Sequence, residues 1–361
     1  MRVAIVHDYL NQAGGAERVV ESFHRIWPEA PIFTTIADRD AMPASLRDAD
    51  LRVSWMQHLP AWKRHFRAYL PLYPLAIEGM DLRGYDLVVS SSSAWAKAVR
   101  APAGAAHVCY CYTPMRWVWD YERYVEREHF GALARLALPP VITALRAWDV
   151  RTASRPTHIV AVSNGVRERV QRCWGRTSEV LYPPVETDRF TVATAPGRYH
   201  LVVSRLSHYK RIDLAVTAFT QLGLPLVVIG DGPARASLEE LAGPNVTFRG
   251  RVDDAGVAAA MGECRALVFP GEEDFGISPL EANASGRPVI AFAAGGALET
   301  VRDGVTGVLF ATQTAESLAE GVERAEAATW DPAAIRHHAE SFSVALFEER
   351  FRVIVEREAR R

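Results

Sequence analysis

Cysteine is scarce. Four residues in 361, Cys109, Cys111, Cys173 and Cys264, stand at spacings that fit neither a disulfide framework nor a zinc site. That points to a reducing, cytoplasmic setting. Long apolar runs are missing as well: no stretch approaches the ~20 residues of a spanning helix, and the opening run is too short for a secretory signal. The chain therefore reads as soluble, or at most peripheral at the inner face of a membrane. Neither sign of charge is in excess. The formal net charge of -2 gives no electrostatic reason to expect a nucleic-acid partner. Gly14-Gly15 follows the first apolar run without completing G-x-G-x-x-G, so the dinucleotide fingerprint is not met. Short-period repeats and low-complexity tracts do not occur.

What remains is an ordinary globular composition, 49% hydrophobic and 23% charged, over a length that favours two domains. Short apolar runs alternate with amphipathic stretches of helical length. Strands are expected at 2–7, 86–90, 107–112, 158–162 and 179–182. After the loop Pro183-Pro184-Val185 the same grammar restarts, with strands expected at 200–204, 226–229, 246–248, 266–269 and 289–292. One helix is expected from Ala16, and a charged amphipathic helix over 344–361 suits either domain, with a return to the first, 1–184, as one reading. Strands alternating with helices mean βαβ units and mostly parallel sheets. The expected fold class is α/β, with Rossmann-like domains over 1–184 and 185–343 facing a central cleft. Such a cleft is a usual place for a small-molecule site, and its chemistry belongs in the loops beyond the strands' carboxyl ends.

Three features of the second half fall after successive expected strands. In Ser204-Arg205-Leu206-Ser207-His208-Tyr209-Lys210, Arg205 follows a strand and Lys210 opens the next helix. Two converging cations suit a diphosphate, and arginine adds a planar fork, although taken alone such a pair is more often ordinary surface cations at a strand-helix junction. In Glu273-Asp274-Phe275-Gly276-Ile277-Ser278-Pro279-Leu280-Glu281, Ser278 and Pro279 suit the N-cap and first helical position. Gly276 and Ile277 then lie at a helix N-terminus, where free amides bind phosphate. Glu273 is placed to reach sugar hydroxyls and Glu281 a ribose, yet Ser278-x-x-Glu281 also reads as a capping box. The turns Gly230-Asp231-Gly232-Pro233 and Gly295-Gly296 permit close backbone approach, or are simply tight loops.

The run of Arg205 and Lys210, Gly230-Asp231-Gly232-Pro233, Glu273-x7-Glu281 and Gly286-Arg287-Pro288-Val289 resembles the family 4 glycosyltransferases of the GT-B fold. The resemblance covers nearly the whole chain. Gly14-Gly15-Ala16-Glu17 and the stretch Cys109 to Arg116 are similar to the branch of bacterial mannosyltransferases acting on O-antigen and exopolysaccharide chains. The resemblance implies that Arg205 and Lys210 hold a donor diphosphate and that Glu273 contacts the donor sugar. Amides of Phe275, Gly276 and Ile277 would lie nearby, with Glu281 on the ribose, Val252 at the nucleobase and Gly14-Gly15 closing on the phosphates. It further implies retention of anomeric configuration, with no divalent metal and no cofactor beyond the nucleotide-sugar itself. The expected donor is GDP-mannose first and a UDP-hexose second, and the expected acceptor a glycan or lipid-linked sugar.

Many relatives carry a histidine that points at the reacting sugar where Tyr112 stands here, so the resemblance implies a substrate-binding place for Tyr112, and His107 lies at the other end of that strand in a structural position. A phenol is a poor base at neutral pH, its reference pKa being ~10. A front-face mechanism, in which the departing phosphate assists the acceptor hydroxyl, needs no protein nucleophile and leaves Arg205 and Lys210 to stabilise the leaving group. Trp62 to Tyr69 mixes aromatic and basic residues, as a weak membrane contact would, or a partly solvated helix. Met115 to Phe130, rich in aromatics, suits an acceptor surface or an interdomain packing helix. Asp38-Arg39-Asp40 and Asp48-Ala49-Asp50 are D-x-D triplets in polar surface sequence, away from the phosphate candidates, so no metal site is expected. A nucleotide-sugar epimerase and a non-catalytic nucleotide-sugar-binding protein of the same fold remain alternatives.

Overall fold

The computed structural model describes residues 1–66, 68–120, 132–193, 195 and 197–360, excluding the side chains of 132–137. The chain divides into two compact units, one of Met1–Pro184 with Phe347–Arg361, the other of Val185–Leu346.

The first unit is built on a seven-stranded sheet: β1 Val3–His7, β2 Ile32–Thr34, β3 Leu51–Val53, β4 Leu87–Ser92, β5 Ala106–Cys111, β6 His158–Ala161 and β7 Glu179–Val180. Every pairing is parallel, in the order β3-β2-β1-β4-β5-β6-β7. Alternate residues serve opposite faces. Val3 and Ile5 pack with Phe23 of the helix Gly15–Ile26, while Ala4 and Val6 pack with Tyr73, Trp95 and Trp148. With both faces covered, the central strands read in sequence as continuous apolar runs. The last helix, Val344–Ala359, supplies Phe347, Phe351, Ile354 and Val355 to the first of these clusters, and Phe351 stacks on Phe23 at 4.5 Å.

The second unit carries a six-stranded parallel sheet: β8 Tyr199–Val203, β9 Leu226–Ile229, β10 Val246–Gly250, β11 Cys264–Phe269, β12 Val289–Phe292 and β13 Gly307–Phe310. Their order is β10-β9-β8-β11-β12-β13. Val202, Val228, Val268 and Ile290 meet the helices Ile212–Leu222 and Ala315–Ala327 on one face, and Leu201, Val227, Leu267 and Ala291 fill the other.

Strands β2, β3 and β13 were not expected from the sequence. The first two have three residues each and the third opens on a glycine, so none carries enough of a period-two or apolar run to stand out. In each sheet the strand order reverses at one place, between β1 and β4 in the first and between β8 and β11 in the second. In open α/β sheets, ligands bind beyond the carboxyl ends of the strands at such a switch point.

Candidate functional site

At the second switch point the loops leaving β8 and β11 carry the cations and carboxylates singled out above. Arg205 follows β8, is exposed, and its guanidinium has no hydrogen-bond or ion-pair partner among the described residues. Lys210 closes the short turn His208–Lys210 two residues ahead of the helix Ile212–Leu222, not at its first position as expected. Arg211, held left-handed at φ 52, makes the bend between them and pairs with Asp213. The Lys210 ammonium donates to Glu273 Oε1, from the loop after β11. Those two side chains are 14% and 24% exposed, so the pair is largely enclosed. The Tyr209 ring lies 5.2 Å from the same ammonium. Ser204, Phe269, Pro270 and Gly271 complete the shallow depression around the pair.

The helix Ile277–Ala284 begins two residues earlier than its sequence signals suggest. Its N-cap is Gly276, at φ 87 and ψ 92, with no side chain capping the end. Ser278 and Pro279 are the second and third helical residues, so Ser278 caps nothing and the capping-box reading of Glu281 falls. Chain direction explains the shift: only glycine readily takes the positive φ that turns the β11 loop into the helix here. An N-terminus without a side-chain cap leaves first-turn amides to accept an anion. Phe275 and Glu281 are buried beside it, at 5% and 7% exposure.

Glycines press on each of these loops from behind. A Cβ at Gly230 would stand 1.8 Å from the Ser204 carbonyl oxygen, and one at Gly232 2.3 Å from that of Leu206. On the β11 side, a Cβ at Gly295 would stand 2.4 Å from the Glu273 carbonyl oxygen and one at Gly296 2.1 Å from that of Phe275. The Gly296 amide also donates to the Glu273 carbonyl at 2.8 Å. Both glycine turns are thus backing for the loops that carry Arg205 and Glu273. Val252 is 37% exposed beyond the edge strand β10, two strands from β8.

In the first unit Gly14 caps the helix that starts at Gly15, one residue before the expected start. Glu17 turns back on this glycine turn, accepting from the Gly14 amide at 2.9 Å and from Gln12 at 3.2 Å. Tyr112 follows β5, and its hydroxyl donates to the Ala16 carbonyl at 3.0 Å. Its oxygen therefore accepts from Ser91 Oγ at 2.9 Å. Ser91 Oγ in turn accepts from His7 Nδ1 at 2.9 Å, a nitrogen that must carry hydrogen because it also reaches the Ser91 carbonyl at 3.2 Å. Burial pushes the Tyr112 phenol well above its ordinary pKa, against the opposing Ser91 hydrogen bond and with the Glu17 and Asp8 charges adding to the rise. Its proton is committed within this unit. His107 is fully buried against Ser90 Oγ at 2.8 Å, and burial holds it down at about 3.

Sequence reasoning overlooked Asp8. It is 1% exposed and accepts five hydrogen bonds across the β1–β4 switch, from the amides of Ser93, Ala94, Trp95 and Ala96 and from the Ser93 hydroxyl. A lone aspartate after a strand carries no spacing signal, and only the folded β4 loop brings its donors to it. The two D-x-D triplets lie on the same unit, with Asp38 bonded to Lys63 at 2.8 Å and Asp50 to Arg52 at 3.0 Å. Lys63 sits in the short helix Trp62–His65, whose Lys63, Arg64 and His65 are exposed. Of the aromatic stretch from Met115, the part over 121–130 lies outside the described residues.

Both units match known families in order along the chain. The family model "Glycosyltransferase Family 4" matches residues 13–189, and "Glycosyl transferases group 1" matches residues 186–341. A GDP-mannose-dependent alpha-mannosyltransferase of Mycolicibacterium smegmatis is 32% identical over 176 residues, 45% of this chain and 46% of that protein. A GDP-mannose-dependent alpha-(1-6)-phosphatidylinositol monomannoside mannosyltransferase of Mycobacterium tuberculosis is 32% identical over 196 residues, 45% and 51% of the two chains. This chain spans about half the length of the curated relatives it matches. In fold it is similar to Anabaena HepE, solved in complex with UDP and glucose, with a TM-score of 0.72 at 18% identity over 99% of both chains. No helix among the described residues is long and apolar enough to cross a membrane. With both units matched, this chain belongs to the family 4 glycosyltransferases of the GT-B fold.

Proposed function

We propose that the protein is a retaining, metal-independent glycosyltransferase that moves a hexose from a nucleotide-diphosphate donor to a glycan or lipid-linked acceptor in polysaccharide synthesis. GDP-mannose is the first donor candidate, in line with the relatives named for it, and a UDP-hexose the second. The observation that carries the reading is the convergence, at one switch point, of an unpartnered Arg205, Lys210 and the uncapped start of the helix Ile277–Ala284.

Arg205 and Lys210 would neutralise the leaving diphosphate, which is where charge develops when the glycosidic bond to phosphate breaks. The amides of Gly276 and Ile277 would face the same group, Glu273 the sugar hydroxyls and Glu281 the ribose. Val252 would meet the base through its backbone. A front-face displacement fits this set, because the departing phosphate itself takes the acceptor's proton and Tyr112 is not required as a base.

A thermal-shift series with GDP, UDP and ADP, with and without their sugars, tests the reading. In EDTA one nucleotide should raise the melting temperature by ordinary linkage, and the rise should persist unchanged when magnesium is added. Arg205→Ala should lose most of that rise and about 100-fold or more in turnover. No shift with any nucleotide, or normal turnover in Arg205→Ala, would overturn the donor-site assignment.

A further inference from the structure

Lys210, assigned above to the diphosphate, is ion-paired with Glu273, the carboxylate assigned to the sugar. Arg205, in the loop that follows the same strand β8, has no partner among the described residues, so the two cations differ in their surroundings. Resting on the donor-site reading above, we infer that Glu273 discriminates the sugar-bearing donor from the bare nucleoside diphosphate. It holds Lys210 until the donor binds and competes for it with the product once the sugar has left.

The backbone on both sides of the pair has little room to withdraw. A Cβ at Gly271 would stand 2.8 Å from the Lys210 carbonyl oxygen, and the Glu273 carbonyl is tied to the Gly296 amide. A ligand therefore alters the pair by turning the two side chains. An incoming diphosphate competes for the ammonium and also sets its own negative charge near the Glu273 carboxylate. In a partly enclosed site that like-charge approach costs more than it would in water. Sugar hydroxyls offset the cost, because they donate to the carboxylate as it leaves Lys210. A bare nucleoside diphosphate has no sugar hydroxyls at that place. Glu273 thus weakens binding of the product more than binding of the donor, and this favours release after transfer.

Glu273→Gln tests this, since the amide keeps the shape and hydrogen-bonding capacity but removes the charge. Calorimetric titration with GDP, with UDP and with ADP should show the nucleotide that binds wild type binding Glu273→Gln about tenfold tighter, a change of about 1.4 kcal/mol. Turnover of the nucleotide-sugar should fall in the same variant. Against a Lys210→Ala background the gain should shrink to the part owed to like-charge repulsion alone, because the carboxylate then has no cation to withhold. A purely structural role for Glu273 predicts weaker binding, never tighter. Unchanged or weaker nucleotide binding in Glu273→Gln overturns this inference and leaves the donor site standing. Failure of GDP, UDP and ADP alike to bind wild type and variant at millimolar concentration overturns the donor-site reading itself. Melting curves check folding, and Glu273→Ala removes the same charge should the amide variant not fold.

Discussion

A phenol has one proton to give, and that of Tyr112 goes to the Ala16 carbonyl while Ser91 supplies the bond its oxygen accepts. Tyr112→Phe strips a donor from the first turn of the helix Gly15–Ile26 and leaves the Ser91 hydroxyl short of an acceptor. The expected outcome is a loss of about 1–2 kcal/mol in stability, read by denaturant unfolding, with turnover within a few-fold of wild type. Arg205 should behave in the opposite way. Its exposed guanidinium supports nothing in the fold, so Arg205→Ala keeps its melting temperature and loses its turnover. Abolished turnover with unchanged stability in Tyr112→Phe would instead make the phenol part of the chemistry. At this scale what was legible was placement, for residues whose type and strand-end position speak together: Arg205 and Lys210 after β8 and Glu273 after β11. Asp8 was illegible because its role is defined by four amides more than eighty positions away. Ser278 misled, since a good capping residue stood two places inside a helix whose true boundary depends on the positive φ of Gly276.

The loop from β11 to the helix Ile277–Ala284 is shaped by an element with no candidate chemistry of its own, the turn at Gly295-Gly296. Gly296 sits at φ -64 and ψ -19, a conformation any residue adopts, so the requirement for glycine there is purely one of space. A methyl group 2.1 Å from the Phe275 carbonyl oxygen cannot stay, and the backbone of the loop must shift to admit it. Gly296→Ala should therefore cost about 1–3 kcal/mol, as overpacking does. It should also lower kcat/KM by up to about 100-fold, because Glu273 and the helix amides move together. Gly262→Ala is the matched control. It lies inside the helix Asp254–Glu263 with nothing within 4 Å of a new Cβ, so it should be neutral or slightly stabilising. Equal behaviour of the two variants in unfolding and steady-state kinetics would remove the backing role. The sequence marks such a turn as two adjacent glycines and no more. What they back became visible only when β12 was laid beside β11.

Over the whole molecule, the break after Pro184 was legible because the strand-helix grammar stops and restarts there. The allegiance of the last helix was not, since an amphipathic face does not name the surface that buries it. Phe347, Phe351, Ile354 and Val355 recur at positions i, i+4, i+7 and i+8, one stripe of a helix, and the structure spends that stripe on the core of the first unit. Residues at the far end of the chain thus stabilise the unit at its beginning. Phe351→Ala removes a fully buried ring from the stack with Phe23 and should cost that unit about 3–5 kcal/mol. Scanning calorimetry can assign the loss, because a bound nucleotide stabilises only the structure that binds it. If the donor nucleotide is held by the loops of β8 and β11, it should raise a transition belonging to Val185–Leu346. Phe351→Ala should lower the other transition and leave the nucleotide-sensitive one within a degree or two of wild type, on the order expected for an independent unit. Should the substitution lower the nucleotide-sensitive transition instead, the last helix would be supporting the donor-binding unit. The burial of its aromatic stripe beside Phe23 would then be the wrong account of what that helix supports.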